Sequence, residues 1–275
     1  MYCHKTLAAT AAACSELGAI AGRRGLKLAA SPGQMLLPAY ERAAALVGGG
    51  ELGPIATIDA SAEAAPHRFE TERATETPEP GTPYSWEWYH RTERGGGPVA
   101  DMLVYPLSFL CALFGELTDV HMAGRLVRPE IHWRGRTVQA NAPDSYAGVA
   151  RFGNIAATLR TSFSSNATRL PWGTVVLRGA DGCIEIVKHD DLDYSLYVTP
   201  NDGEQRHERL PALPDDVAAE YGRAECHVLL DVREFVDAVS ADRPVRCATA
   251  GNAALTVAAI EMIERSAAAA APAGG

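Results

Sequence analysis

The sequence predicts an α/β protein in two parts: a short helix and strand unit, then a larger, mostly antiparallel sheet with helices on one face. Three observations carry this expectation. Residues 7–60 alternate helical and strand-like periodicity across short links, the rhythm of a parallel sheet. Residues 119–188 form a series of alternating apolar and polar stretches separated by hairpin-like turns. The chain closes on two segments of helical periodicity.

Leu7 to Arg24 places Leu7, Ala11, Cys14, Leu17 and Ala21 at helical spacing and ends in Arg23-Arg24-Gly25, a basic last turn before a glycine cap. Leu26 to Ala30 reads as a buried strand, broken by Ser31-Pro32-Gly33. Pro38 to Val47 gives a second helix, stopped by Gly48-Gly49-Gly50, and Gly53 to Ala60 returns as a strand with Ile55 and Ile58 apolar. From Ser61 to Pro83 Glu, Thr, Pro and Ala dominate with almost nothing to bury, which predicts a mobile surface loop. A helix over Pro98–Phe114 follows, then strands over 119–127, 131–138, 145–152, 155–163, 174–178 and 184–188. Phe152-Gly153-Asn154 and Asp181-Gly182 supply the turns. Helices over about Asp215–Val239 and Ala250–Ala270 precede a frayed Ala/Pro/Gly tail.

At 275 residues the chain can bury a full core. Its formal charge of −9, with 25 scattered Lys and Arg, argues against a nucleic-acid partner. The apolar runs read as too short to span a bilayer, and no membrane partner is expected. Cysteines at 3, 14, 111, 183, 226 and 247 lack close-paired zinc spacing and read as small core residues of a reduced, cytoplasmic protein; neither disulfides nor a metal site is expected.

The chemistry concentrates in Gly95-Gly96-Gly97-Pro98-Val99-Ala100-Asp101-Met102-Leu103-Val104-Tyr105. A glycine triplet opens a helix that carries an acid and a phenol four apart, hence one turn apart on one face. Bare backbone at a helix entrance lets a ligand approach closely, and a carboxylate beside a phenol can position and exchange a proton. Lys5, in Cys3-His4-Lys5-Thr6-Leu7-Ala8, is the candidate third member, because a nearby ammonium stabilises a phenolate and lowers its pKa. Asp101 has a second reading, as a helix-entry carboxylate that complements the macrodipole. Trp86, Trp88, Tyr89 and Arg91 either form an aromatic wall and polar clamp over a polyol or pack a loop onto the sheet. His132 and Trp133 read as sheet-face residues, and His189-Asp190-Asp191 and Asp215-Asp216 as turns and caps.

In this order, these segments resemble the Gfo/Idh/MocA oxidoreductases, the group of glucose-fructose oxidoreductase and inositol dehydrogenases. The resemblance spans essentially the whole chain and includes Gly50-Glu51-Leu52-Gly53-Pro54-Ile55, His227, Phe235 and Val236-Asp237-Ala238-Val239. It implies the C-terminal remnant of a dinucleotide-binding Rossmann domain over residues 1–50 and a substrate-binding and oligomerisation domain over 51–275. It also implies hydride transfer between NAD or NADP and a sugar, polyol or related hydroxy or carbonyl compound. Lys5 and Tyr105 take the catalytic positions, Tyr105 standing where most members have histidine. Asp101, with Trp88, Tyr89 and Arg91, takes the substrate side, and Lys5 with His4 the cofactor side. A homodimer or homotetramer is implied.

The chain also departs from the family pattern. His4 replaces the usual glutamate, Thr6 the usual proline, and Met35 stands where many members have arginine. A Gly-x-Gly-x-x-Gly turn between strand and helix is absent, so Met1 reads either as an internal methionine of a longer frame or as the start of a protein that lives without its cofactor half. On either reading activity of this chain alone is expected to be impaired. Two rivals stand beside the dehydrogenase: a non-catalytic oligomerisation or binding domain that uses the open face of the sheet, and an NAD-dependent glycosidase.

Overall fold

A computed structural model describes residues 1–63, 86–133, 136–164, 173–189, 193–221 and 226–270. The first unit is a parallel pair, β1 (Tyr2–Cys3) against β2 (Ala29–Ala30), joined by α1 (Ala11–Arg23). Thr10 caps α1 by accepting from the Ala13 N–H, and Gly25 leaves the helix at φ +62°, the left-handed conformation that glycine adopts at no steric cost. A 3-10 turn (Gln34–Leu36) then leads into α2 (Pro38–Gly48). Proline at the first helical position has its φ preset for the helix.

The body of the molecule is one mixed sheet of eight strands. In spatial order these are β12 (Arg206–Pro211), β11 (Asp193–Pro200), β10 (Gly182–Lys188), β9 (Thr174–Gly179), β3 (Ile55–Glu63), β8 (Ile155–Ser162), β7 (Ser145–Phe152) and β4 (Leu117–Arg125). Every neighbouring pair is antiparallel except β3 and β8. A two-residue turn at Gly153-Asn154 pairs Phe152 with Ile155, and glycine is required there because φ is +59°. A separate hairpin, β5 (Glu130–Trp133) with β6 (Arg136–Gln139), replaces the single strand expected over 131–138.

One face of the sheet is covered by α2, by α3 (Val104–Phe114) and by α6 (Ala250–Ala270). Strand alternation decides the faces: Ala157, Leu159 and Thr161 of β8 point into the core, whereas Ala156, Thr158 and Arg160 point out. Leu37, Tyr40, Leu46, Ile58, Leu107, Phe109 and Leu177 fill the single large core. A smaller cluster, Leu7, Cys14, Ala30 and Val257, seals α1 against α6. Within the helical region expected over about 215–239, the described residues form α4 (Asp215–Tyr221) and α5 (Cys226–Ser240), and residues 222–225 lie outside them.

Two further differences have clear physical causes. β11 and β12 were not foreseen; β12 reads Arg206-His207-Glu208-Arg209, the charged composition that suits an edge strand and hides strand periodicity. The helical stretch Thr92–Phe114 is, by length and composition, apolar enough to cross a membrane, contrary to the expectation of short apolar runs. Val104, Leu107, Phe109, Leu110 and Cys111 are buried on all sides of α3, the pattern of a core helix. Ser61–Glu63, expected to begin a surface loop, complete β3; most of that expected loop, residues 64–83, lies outside the described residues. The side chains of Trp86, Trp133 and His227, and residues Asp190 and Asp191, also lie outside them.

Candidate active site

Three side chains from two distant segments meet where the first unit rests on α3. The Lys5 ammonium donates to Asp101 Oδ1 at 2.9 Å and also to the backbone carbonyl of Asp101. It lies 4.3 Å from the centroid of the Tyr105 ring, over its face. The Lys5 and Asp101 side chains are 10% and 12% exposed, so the pair is largely buried. The Lys5–Thr6 peptide, where the resemblance anticipated proline, is cis.

Local backbone explains the arrangement. Val99–Leu103 forms a π-helical turn whose closing bond runs from Val104 N–H to Val99 O, and α3 begins directly after it. A wide turn of this kind loosens the carbonyl ladder, and one carbonyl of that turn, Asp101 O, is the acceptor that Lys5 takes. Beyond Tyr105 on the same helix, the Ser108 hydroxyl donates to Pro32 O at 2.9 Å. Asn252 of α6 donates to Ser108 O at 3.1 Å. The first bond docks α3 to the segment that follows β2 and the second docks it to α6; neither could be read from the sequence, since each joins residues far apart along the chain.

The electrostatics pull in opposite directions. Burial would lower the Lys5 pKa, but Asp101 and Tyr105 outweigh it and push the value up to about 12. Burial raises the Tyr105 phenol; Lys5 draws it back down, Asp101 raises it again, and the net direction is upward. Lys5 therefore acts in the expected sense but does not prevail, because the same packing that brings it near also removes water from the phenolate.

The loop before the glycines is arranged differently from the expected clamp. The Arg94 guanidinium lies 5.2 Å from the Trp88 ring centroid. Arg91 binds Glu93 at 2.7 Å and the Gln139 carbonyl at 3.0 Å, tying this loop to β6. Tyr89 lies near enough to Tyr105 to add to the rise of its pKa, and His4 is exposed beside Lys5. The structure thus brings Lys5, Asp101 and Tyr105 together with Tyr89 at their margin, and commits Arg91 to the loop.

The glycine triplet also serves the loop. A Cβ on Gly96 would stand 2.2 Å from the Trp88 carbonyl oxygen and 2.8 Å from Arg91 N, while Gly95 and Gly97 hold φ at +70° and +114°. The close approach that needs glycine is made by the protein's own backbone, which corrects the expectation of a ligand there. Among the described residues no three His, Cys, Asp or Glu side chains gather in a way that could hold a metal ion. The described cysteines Cys3, Cys14, Cys111, Cys183 and Cys247 are free thiols.

Residues 40–185 match the family model of the GFO/IDH/MocA C-terminal domain. No curated protein matches the chain. Among solved structures, an NAD-binding oxidoreductase from Klebsiella pneumoniae is similar at TM-score 0.74 and 16% identity, over 97% of this chain and 71% of that one. Levoglucosan dehydrogenase in complex with NADH and L-sorbose is similar at TM-score 0.73 and 16% identity, over 98% and 71%. The transcriptional regulator Gal80p from Kluyveromyces lactis is similar at TM-score 0.72 and 16% identity, over 98% and 67%. At these identities the likeness is one of fold.

Proposed function

Since the chain belongs to the GFO/IDH/MocA family, we propose that it carries the substrate side of a nicotinamide-dependent oxidoreductase acting on a sugar, polyol or related hydroxy or carbonyl compound. The observation that carries this reading is the convergence of an ammonium, a carboxylate and a phenol from residues 5, 101 and 105 in one largely buried cluster. Tyr105 exchanges a proton with the substrate oxygen, Lys5 orients that oxygen and tempers the phenol, and Asp101 accepts from substrate hydroxyls. Tyr89 borders this cluster, Trp88 belongs to the same loop on the substrate side, and Arg91 supports it through that loop.

NAD or NADP is the hydride carrier this reading requires, with Lys5 and His4 on its side of the cleft. The described residues do not fit its pyrophosphate: Gly96 is packed against the Trp88–Arg91 backbone, and Gly48 to Gly50 end a helix instead of opening one. The chain alone should bind NAD(H) and NADP(H) weakly or not at all, and micromolar binding by calorimetry would count against this. The parallel β1 and β2 joined by α1 support reading residues 1–50 as the closing part of a dinucleotide-binding unit and 51–275 as the substrate domain. Met1, Leu26, Val232, Val236 and Val239, exposed just before β1, before β2 and on α5, suit a surface that packs against more of such a unit.

The test is turnover of polyols and sugar derivatives by the chain fused behind a dinucleotide-binding half. Tyr105→Phe should lower it by about two to four orders of magnitude. Near-normal turnover would remove Tyr105 as the acid/base and leave His4 to be tested next. A homodimer or homotetramer through the open sheet face is part of the proposal. That face carries ion pairs, Asp59 with Arg178 and Glu63 with Arg160 at 2.7 Å, beside small Ala147 and Ala156. A monomer in sedimentation at all concentrations would refute it. Free thiols suit a cytoplasmic location. A second reading, a non-catalytic binding domain, is favoured by the likeness to Gal80p and by the upward pKa of Tyr105.

A further inference from the structure

We propose that Asp231 is a positioning residue for this site, the buried anchor that fixes the strand leading into Lys5 and the turn after β2 to α5 and so sets where the ammonium meets Asp101 and Tyr105. The inference rests on the reading of the site given above. Asp231 lies on α5 and is 2% exposed. Its Oδ2 accepts from the Gly33 N–H at 3.1 Å and from the Tyr2 hydroxyl at 3.5 Å. Tyr2 belongs to β1, the strand that leads directly into Lys5; Gly33 belongs to the turn that leaves β2.

A carboxylate is an expensive choice for this position. Burial raises its pKa despite the Gly33 N–H, and Oδ1 has no well-formed hydrogen bond. A leucine would pack without that cost. What a carboxylate adds is the ability to accept from two separate chain segments at once. Gly33 matches this role, since a Cβ there would come within 2.0 Å of Asp231 Oδ1. The neighbouring Pro32 carbonyl is the acceptor for Ser108 on α3. A closed circuit results: Lys5, Tyr2, Asp231, Gly33, Pro32, Ser108 and α3 back to Tyr105 beneath the ammonium. Asp231 is the one charged member of that circuit outside the cleft.

The chain has three lysines, Lys5, Lys27 and Lys188, which permits a direct test on the whole protein without cofactor or substrate. Acetic anhydride labelling at pH 8, followed by peptide mass spectrometry, gives a rate for each lysine. Lys5 should label slowly in the wild type. Asp231→Ala should raise the Lys5 rate by at least about tenfold relative to Lys188, through more frequent local opening. Asp231→Asn, which keeps an acceptor for Gly33, should restore slow labelling, a rescue that mere filling of space would not require. Gly33→Ala, which pushes the carboxylate away, should act like Asp231→Ala. If Asp231→Ala unfolds, shown by a matching rise at Lys188, Gly33→Ala and Asp231→Asn decide the matter. An unchanged Lys5 rate in Gly33→Ala, or fast labelling in Asp231→Asn, would overturn the proposal. Because labelling involves no turnover, failure of the Tyr105→Phe experiment would refute the functional reading and leave this result standing.

Discussion

Replacing Lys5 by methionine tests whether the ammonium is a structural part of the cleft or a loosely held surface charge. Methionine matches the aliphatic stem and removes the charge, so packing is largely kept while Asp101 loses its cation. With side chains 10% and 12% exposed, the pair is close to buried. Breaking a buried pair from one side costs about 3–5 kcal/mol, and the partial access to water here favours the lower end, about 3 kcal/mol. The lysine pKa supports a similar figure: a rise from 10.5 to about 12 corresponds to about 2 kcal/mol of preference for the ammonium in the folded state. A folded-state pKa above the unfolded one gives stability that is fully present below pH 10.5 and lost as pH rises through about 12. Urea unfolding at pH 7 of wild type, Lys5→Met, Asp101→Asn and the double variant gives the coupling directly. Single losses near 3 kcal/mol with a coupling of about 2 kcal/mol are expected, little changed by 1 M salt. Additive losses below about 0.5 kcal/mol would refute the reasoning, since that is the behaviour of an exposed pair.

Asp231→Asn should change the pH dependence of stability. The Asp231 pKa is raised by burial from 3.8 to about 6, so stability is full below pH 3.8 and lost as pH rises through about 6, by about 3 kcal/mol. The asparagine variant should gain on wild type at pH 8 but not at pH 4 in urea midpoints; an equal change at both would exclude titration of Asp231. Glu234→Gln should behave oppositely. Arg243, with help from Arg246, holds that carboxyl down at about 2 against burial, so its stabilisation is present above pH 4.5 and fades as pH falls through about 2. The variant should lose stability at pH 7 and converge on wild type in strong acid. Gly96→Ala should cost about 2–4 kcal/mol, because a Cβ 2.2 Å from the Trp88 carbonyl oxygen forces the loop to move. A thermal midpoint within a degree of wild type would count against that packing.

What could be read from the sequence was local. Pro38 with Gly48 to Gly50 bounds α2, the Gly153-Asn154 turn fixes β7 against β8, and the helix over Ala250–Ala270 has the predicted limits. Lys5, Asp101 and Tyr105 were legible because Asp101 and Tyr105 lie one turn apart and Lys5 belongs to a second recognisable segment. The order of the sheet was not legible. β3 lies between β9 and β8 although it precedes both by about a hundred residues, and its parallel pairing with β8 leaves no local trace. Asp231 was passed over because an acidic residue on an amphipathic helix reads as solvated. Its burial follows only from the turn at Gly33 coming to rest on α5.

The upward pKa of Tyr105 makes the two directions of the proposed reaction unequal. A phenol held above its ordinary value of 10.0 is protonated throughout the neutral range, so it can give a proton to a carbonyl oxygen without prior ionisation. Taking a proton from a substrate hydroxyl requires the phenolate, which is scarce at pH 7 and becomes more abundant with each step upward in pH. The proposed enzyme should therefore reduce carbonyl substrates at a rate nearly flat from pH 6 to 8. Oxidation of the matching alcohol should rise about tenfold per pH unit over the same range. Lys5 favours the phenolate, so Lys5→Met should depress oxidation more than reduction and move the alkaline rise higher. Paired pH–rate profiles in the two directions, on the fused enzyme and its Lys5→Met variant, test this. A flat oxidation profile would mean that the proton leaves through a group of lower pKa, and Tyr105 would then be a wall of the cleft instead of its acid/base.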